Sequence, residues 1–159
     1  MVLKRKSMRI KRKKLPGFDF KTGMPLKKRL KRPRTVSISK LMQRADKLFS
    51  LNVRQSGANK EGLVQCYTCG NWNHWKKMQN GHYLSRYYKA ARWHEDNCRV
   101  QCMMCNLWKR GDPIKFRQKL VAEIGLARVL NVEKLRYAPV KLSREFLQEK
   151  LQQLSHPKE

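Results

Sequence analysis

The sequence predicts an α+β fold: a small metal-organised module flanked by helices and preceded by a disordered basic arm. Three observations carry that reading. Two Cys-x-x-Cys pairs, Cys66/Cys69 and Cys102/Cys105, are separated by 32 residues that include short runs of strand length. Apolar residues at three- and four-residue steps flank this segment on both sides, the mark of amphipathic helices. Residues 1–34 hold 15 Lys and Arg against the single acid Asp19, with no apolar period. At 159 residues the chain has room for one domain and little more. It divides into a basic arm (1–34), an amphipathic helix with its loop (35–60), the metal-bound core (61–111) and C-terminal helices (112–159).

Turn residues at Pro16-Gly17, Gly23, Pro25 and Pro33 punctuate the arm, which is expected to be disordered when free and to order on a phosphate backbone. From Ser37 onward, Ile38, Leu41, Met42, Ala45, Leu48 and Phe49 form one stripe of a helix of about four turns. Thr35, Ser37 or Ser39 would cap it, residues 55–59 read as a loop, and the helix should pack over the cysteine module. Leu63-Val64-Gln65 leads into the first Cys pair, with Gly70 suiting the tight turn after it. Residues 71–77 read as a polar loop or wide turn. Residues 78–83 and 97–101 are short strands that would pair antiparallel, joined by the long connection 84–95. A helix is expected from the second Cys pair to Arg110, stopped by Gly111. Asp112-Pro113 restarts a helix as cap and first residue, with Ile114, Phe116, Leu120, Val121 and Ile124 as apolar positions up to Gly125. Residues 126–135 give a short helix, and Ser143 caps a last one with Phe146, Leu147, Leu151 and Leu154 on one face, serving as core or as interface.

The cysteine pairs are better read as metal ligands than as disulfides. The N-terminus is charged with no apolar signal region, and no apolar stretch approaches a membrane span. The expected location is therefore the cytoplasm, where thiols stay reduced. A redox Cys-x-x-Cys would more naturally occur once. Two thiolates from a knuckle and two from the start of a helix complete the four-sulfur tetrahedron that zinc prefers, a treble-clef arrangement that replaces a core so short a segment cannot build. Cys98, the fifth cysteine, reads as a small buried strand residue.

The formal net charge is +27, from 38 Lys and Arg against 11 Asp and Glu. A solvated surface kept for solubility mixes signs more evenly, and the basic run lacks the amphipathic face or acylation site of a membrane anchor. The partner is a nucleic acid, bound with release of condensed counterions. Candidate contacts in the arm are Lys11, Arg12, Lys13, Lys14, Lys28 and Arg29. In the connection, Arg86, Lys89 and Arg92 interleave with Tyr87, Tyr88 and Trp93, a mixture suited to phosphates and unstacked bases, although Trp93 could equally fill a core. Arg99, Lys109 and Arg110 complete the set.

A closed four-sulfur site leaves His82, at the end of a strand, free to act as a base, with Asn97 and Asn106 offering oxygens to orient it or to reach a hard cation. His74 reads as exposed in its loop and His156 as part of a fraying tail. The ordered set Cys-x-x-Cys, Gly81-His82-Tyr83, Asp96-Asn97, Cys-x-x-Cys-Asn106 and Gly111-Asp112-Pro113 resembles the HNH, or ββα-metal, nucleases. More closely it resembles the NinG (Rap) recombination endonucleases of lambdoid bacteriophages, over residues 37–130. The resemblance implies a ββα-metal core and a metal-dependent endonuclease of recombination that cuts branched DNA of the Holliday-junction or D-loop type. It implies His82 as general base, Asn97 as the residue that orients it and Asn106 at the third motif position. It further implies structural zinc on the four cysteines and a separate catalytic Mg²⁺ or Mn²⁺. Gly81 stands where many relatives carry a metal ligand, so His94 and Asp96 join His82 as candidate ligands, with Glu95 and Asp112 nearby in sequence. Symmetric cutting of two strands would favour a homodimer, and a phage-encoded chain would work in the host cytoplasm. The alternative is a non-catalytic, zinc-stabilised nucleic-acid-binding protein.

Overall fold

The computed structural model describes residues 35–156 and, before them, the backbone of one short antiparallel ladder, β1 (Phe18–Asp19) with β2 (Met24–Pro25). The expected disorder of the arm, and its candidate contacts Lys11, Arg12, Lys13, Lys14, Lys28 and Arg29, lie outside the described residues. Val36–Glu159 forms one compact unit of mixed helix and small sheets.

Helix α1 (Ile38–Ser56) starts at Ser37, whose side chain accepts from the Lys40 N–H at 3.3 Å. It runs through part of the expected loop, because Val53 packs against the core and the Asn52 side chain donates to the Leu154 carbonyl at 2.9 Å. Its buried face, Leu41, Ala45 and Phe49, repeats every four residues and meets α4 (Arg144–Ser155). Leu147 is fully buried in that seam, flanked by Phe146, Leu151 and Leu154, so the last helical stripe is core. Trp93 and Cys98 complete the same cluster, and burial pushes the Cys98 thiol up to about 12.

Four more strands form two ladders. β3 (Leu63–Gln65) pairs antiparallel with β4 (Trp72–His74), so the segment expected as a polar loop returns as a hairpin around the first Cys pair. His74 is half-buried, and its Nδ1 accepts from the Lys76 N–H at 3.2 Å, capping the turn 75–77. β5 (Gln79–His82) pairs with β6 (Cys98–Gln101) in the register Gln79↔Gln101 to His82↔Cys98. One face of this ladder, carrying Cys98, packs on α1.

The helix expected after the second Cys pair does form, but it is short and of the π type rather than an α-helix to Arg110. Residues Met104–Trp108 make one widened turn, in which the Lys109 N–H donates to the Met104 carbonyl five residues back. Gly111 N–H returns to the Cys105 carbonyl at 2.9 Å and closes it, so the cysteine geometry overrides helical continuation. Arg110, Gly111 and Asp112 are all left-handed, at φ 51°, 85° and 49°. Asp112 then caps α2 (Pro113–Ile124) through Lys115 N–H, and Gly125 separates it from α3 (Leu126–Lys134). Phe116 and Leu120 are buried as expected, whereas Ile114, in the first turn, is exposed.

Candidate functional site

The ligand atoms of Cys66, Cys69, Cys102 and Cys105 all lie within 4.8 Å of one another, the one such His/Cys/Asp/Glu group among the described residues. Cys69 Sγ and Cys102 Sγ are 3.8 Å apart. A zinc–sulfur bond of about 2.3 Å sets the edge of a four-sulfur tetrahedron at about 3.8 Å, so the spacing fits zinc. The hairpin turn delivers Cys66 and Cys69, Cys102 follows directly on β6, and the widened turn delivers Cys105. Burial raises the Cys66 thiol, but main-chain N–H groups of Cys69, Cys102 and Thr68 outweigh it and bring the group down to about 7. Burial and the neighbouring sulfurs push Cys105 up. Four crowded thiols with opposed demands are a poor apo core and a good metal cage.

Beside this cage, α1, β5 and the widened turn wall a cleft of about 590 Å³. His82 lines it, with Asp46, Arg54 and Asn80 on one side and Arg86, Asn106 and Arg110 around it. His82 Nε2 lies 3.3 Å from the Arg92 carbonyl oxygen, which can only accept, so the contact is a hydrogen bond in the tautomer that carries its proton on Nε2. Burial holds the imidazole below its ordinary pKa of 6.5; the Arg92 carbonyl opposes this, and the Arg86 cation reinforces it.

Asn97 does not enter the cleft. It is fully buried, accepting from Leu84 N–H at 2.6 Å and donating to the carbonyls of Leu84 (3.0 Å) and Ala91 (2.9 Å). It therefore staples both ends of the connection and holds the segment that presents the Arg92 carbonyl to His82. Asp46 secures the same segment from α1, taking the Arg92 guanidinium on both oxygens and the Trp93 indole N–H at 2.9 Å. Asn106 shares the cleft with His82 and donates to Gln79 Oε1 at 2.6 Å.

The space where a side chain at position 81 would lie is filled by the Gln101 carboxamide, and a Cβ there would collide with it. Gln101 cannot swing away easily: its Nε2 donates to Thr68 Oγ1 and, at 2.7 Å, to the Gly111 carbonyl. Glycine at 81 is thus required by packing.

Neither His94 nor Asp96 lines the His82 cleft. His94 Nδ1 accepts from the Asp96 N–H, capping the turn before β6, and the Asp96 carboxylate is paired with Arg128 at 2.6 Å. His94 Nδ1 and the Asp96 carboxylate both help to hold the chain. Glu95 is exposed and Asp112 is committed to its cap.

A family profile described as Bacteriophage Lambda NinG protein matches residues 5–156. The chain belongs to the NinG family. No curated protein and no solved structure matches it significantly.

Within this NinG chain the candidate basic residues separate into two groups. Arg86, Lys89, Lys109 and Arg110 are exposed and make no ion pair among the described residues. Arg92 is locked to Asp46, and Arg99 is held by Glu123 and by the Tyr67 ring, so neither is available as a free phosphate contact. Sequence reasoning missed Asp46, which looks like one acid on the polar side of α1. It also missed Arg54, Asn80 and Gln101. Asn80 lines the cleft and its Oδ1 is buried without a hydrogen-bond partner, a sign that only coordinates reveal. No helix among the described residues is long and apolar enough to cross a membrane.

Proposed function

We propose that this chain is a metal-dependent DNA endonuclease of the HNH type, acting on branched DNA, with His82 as general base. The observation that supports it most is the His82 contact with the Arg92 carbonyl inside the cleft. With Nε2–H given to the Arg92 carbonyl, the Nδ1 lone pair is left to take a proton from an attacking water. The lowered pKa keeps that lone pair free at neutral pH, while the carbonyls of Arg92 and Asn80 and the Asp46 carboxylate favour the imidazolium formed after transfer. Arg86 and Arg110 on the cleft wall draw the phosphodiester in. Cys66, Cys69, Cys102 and Cys105 would hold zinc, which would brace the widened turn and the neighbouring Asn106.

The cleft's sole carboxylate, Asp46, is tied to Arg92, and its other side-chain oxygen donors are neutral: the amides of Gln79, Asn80 and Asn106 and the hydroxyls of Ser50 and Ser85. Such a set suits a Mg²⁺ or Mn²⁺ held mainly by phosphate oxygens of the DNA, with Asn106 and the unpartnered Asn80 Oδ1 as protein donors. The cation would stabilise charge on the leaving oxygen. The missing acidic ligand is also what favours the second reading, a binding protein without catalysis. A four-way DNA junction and a linear duplex, incubated with and without Mn²⁺, separate the two. Cleavage that His82→Ala abolishes while zinc content and DNA affinity persist supports the nuclease; no cleavage of either DNA by the intact protein sinks it.

A further inference from the structure

The widened turn ends in side chains that the fold does not use. Leu107 is 57 % and Trp108 73 % exposed, followed directly by the exposed cations Lys109 and Arg110. Leu107 and Arg110 also line the His82 cleft. The tip is rigid. Its N–H groups at Lys109, Arg110, Gly111 and Asp112 are all hydrogen-bonded, and the left-handed run at 110–112 is held by those bonds and by Gln101 on the Gly111 carbonyl. A left-handed backbone run directly after an exposed apolar tip, beside a cleft, is a feature that clusters where proteins make contacts.

We propose that Leu107 and Trp108 form a wedge that stacks on nucleobases left unpaired or unstacked next to the scissile phosphate, making Trp108 a specificity-determining residue. The proposal rests on the nuclease reading for the position of the phosphate. Charge selects the occupant. A second copy docking here about a two-fold axis would set Lys109 and Arg110 against their own copies in a chain of net charge +27, whereas DNA supplies bases to the indole and phosphates to both cations. An intact duplex offers no base face to stack on. The wedge therefore discriminates distorted DNA from regular helix without reading sequence, and it does so beside His82.

The test uses the full zinc-loaded chain without added divalent metal, so that cleavage plays no part. A four-way junction carrying 2-aminopurine at the branch and a linear duplex of the same sequence are titrated with wild type, Trp108→Ala and Trp108→Phe. Trp108→Ala is expected to weaken junction binding about tenfold, to leave duplex affinity within about twofold, and to remove the 2-aminopurine quenching; Trp108→Phe restores most of each. Equal loss on both DNAs, no loss on either, or self-association of the wild type that Trp108→Ala abolishes would overturn it. Absence of cleavage in the Mn²⁺ assay would instead strike at the nuclease reading and leave this binding result standing.

Discussion

His82 Nε2 lies 3.3 Å from the main-chain oxygen of Arg92, ten residues further along the chain. A histidine anchored to a main-chain carbonyl depends on whatever holds that stretch of backbone, and here two buried groups do. Asn97 fastens Ala91 and Leu84 from the start of β6, and Asp46 fastens Arg92 and Trp93 from α1. The imidazole is thus positioned by residues that do not touch it, and its placement and the stability of the connection are linked.

The first consequence is in pH. Burial lowers the His82 pKa below 6.5, so the neutral, proton-accepting form persists to more acid pH than a free imidazole allows. The acid limb of kcat/KM for cleavage by the intact protein should therefore fall below pH 6.5. Stability follows the same sign. As pH drops through 6.5 the unfolded chain takes a proton that the folded one resists, so His82's contribution is present above that pH and is lost on the way down to the folded value. A limb above pH 7 would show that the imidazole is not the base.

Asn97→Ala should unfold the connection before it alters chemistry. The substitution leaves the Leu84 and Ala91 carbonyls and the Leu84 N–H buried without partners, costing on the order of 3 kcal/mol. Amide hydrogen exchange at residues 84–91 should accelerate while the exchange of α1 and α4 is little changed. Asp46→Ala should act on the same segment from the other side, leaving the Arg92 guanidinium partly buried and unpaired. If the two single losses simply add in the double variant, the shared-clamp account is wrong.

What was legible in the sequence is the chemistry that works locally. Ser37, Asp112 and Ser143 each cap the helix that follows, and the two Cys spacings converge on one metal cage. The widened turn at 104–108 was illegible because helical periodicity says nothing about where two thiols must point. Asn97 was visible as a motif, but its partners depend on the path of a connection with no regular structure. Asp46 was hidden for the same reason: its meaning comes from Arg92, 46 residues away. His94 and Asp96 drew attention by residue type alone, which does not distinguish a ligand from a cap or an ion pair.

Zinc removal should collapse the cysteine module without melting the whole chain. Metal binding in such modules supplies folding free energy on the order of 10 kcal/mol, whereas α1 and α4 meet through their own apolar seam around Leu147. Chelation, or Cys105→Ser, should abolish protection in β3 to β6 and leave substantial helical circular dichroism. Co²⁺ reconstitution should give the thiolate charge-transfer bands of a four-sulfur site. Loss of α-helical signal in step with zinc would mean that the helices depend on the cage.

Gly81 and Gln101 give the sharpest test of why this cleft lacks an acidic ligand beside its histidine. A Cβ at 81 has no room while the Gln101 carboxamide is in place, and Gln101 is anchored to Thr68 and Gly111. Gly81→Ala should therefore destabilise by about 2 kcal/mol, in the range of overpacking, and Gly81→Asp by more, since the carboxylate would face the buried Gln101 oxygen that already lacks a partner. Removing the obstacle should remove the penalty. In a Gln101→Ala background, which itself costs the Thr68 and Gly111 contacts, Gly81→Ala should be close to neutral and Gly81→Asp tolerated, giving a coupling energy of about 2 kcal/mol in thermal or urea unfolding. If the double variant Gly81→Asp/Gln101→Ala also binds Mn²⁺ without DNA while the wild type needs DNA to do so, the amide has taken the space of a ligand whose work the phosphates now do. Additive losses with no coupling would place the need for glycine somewhere other than Gln101.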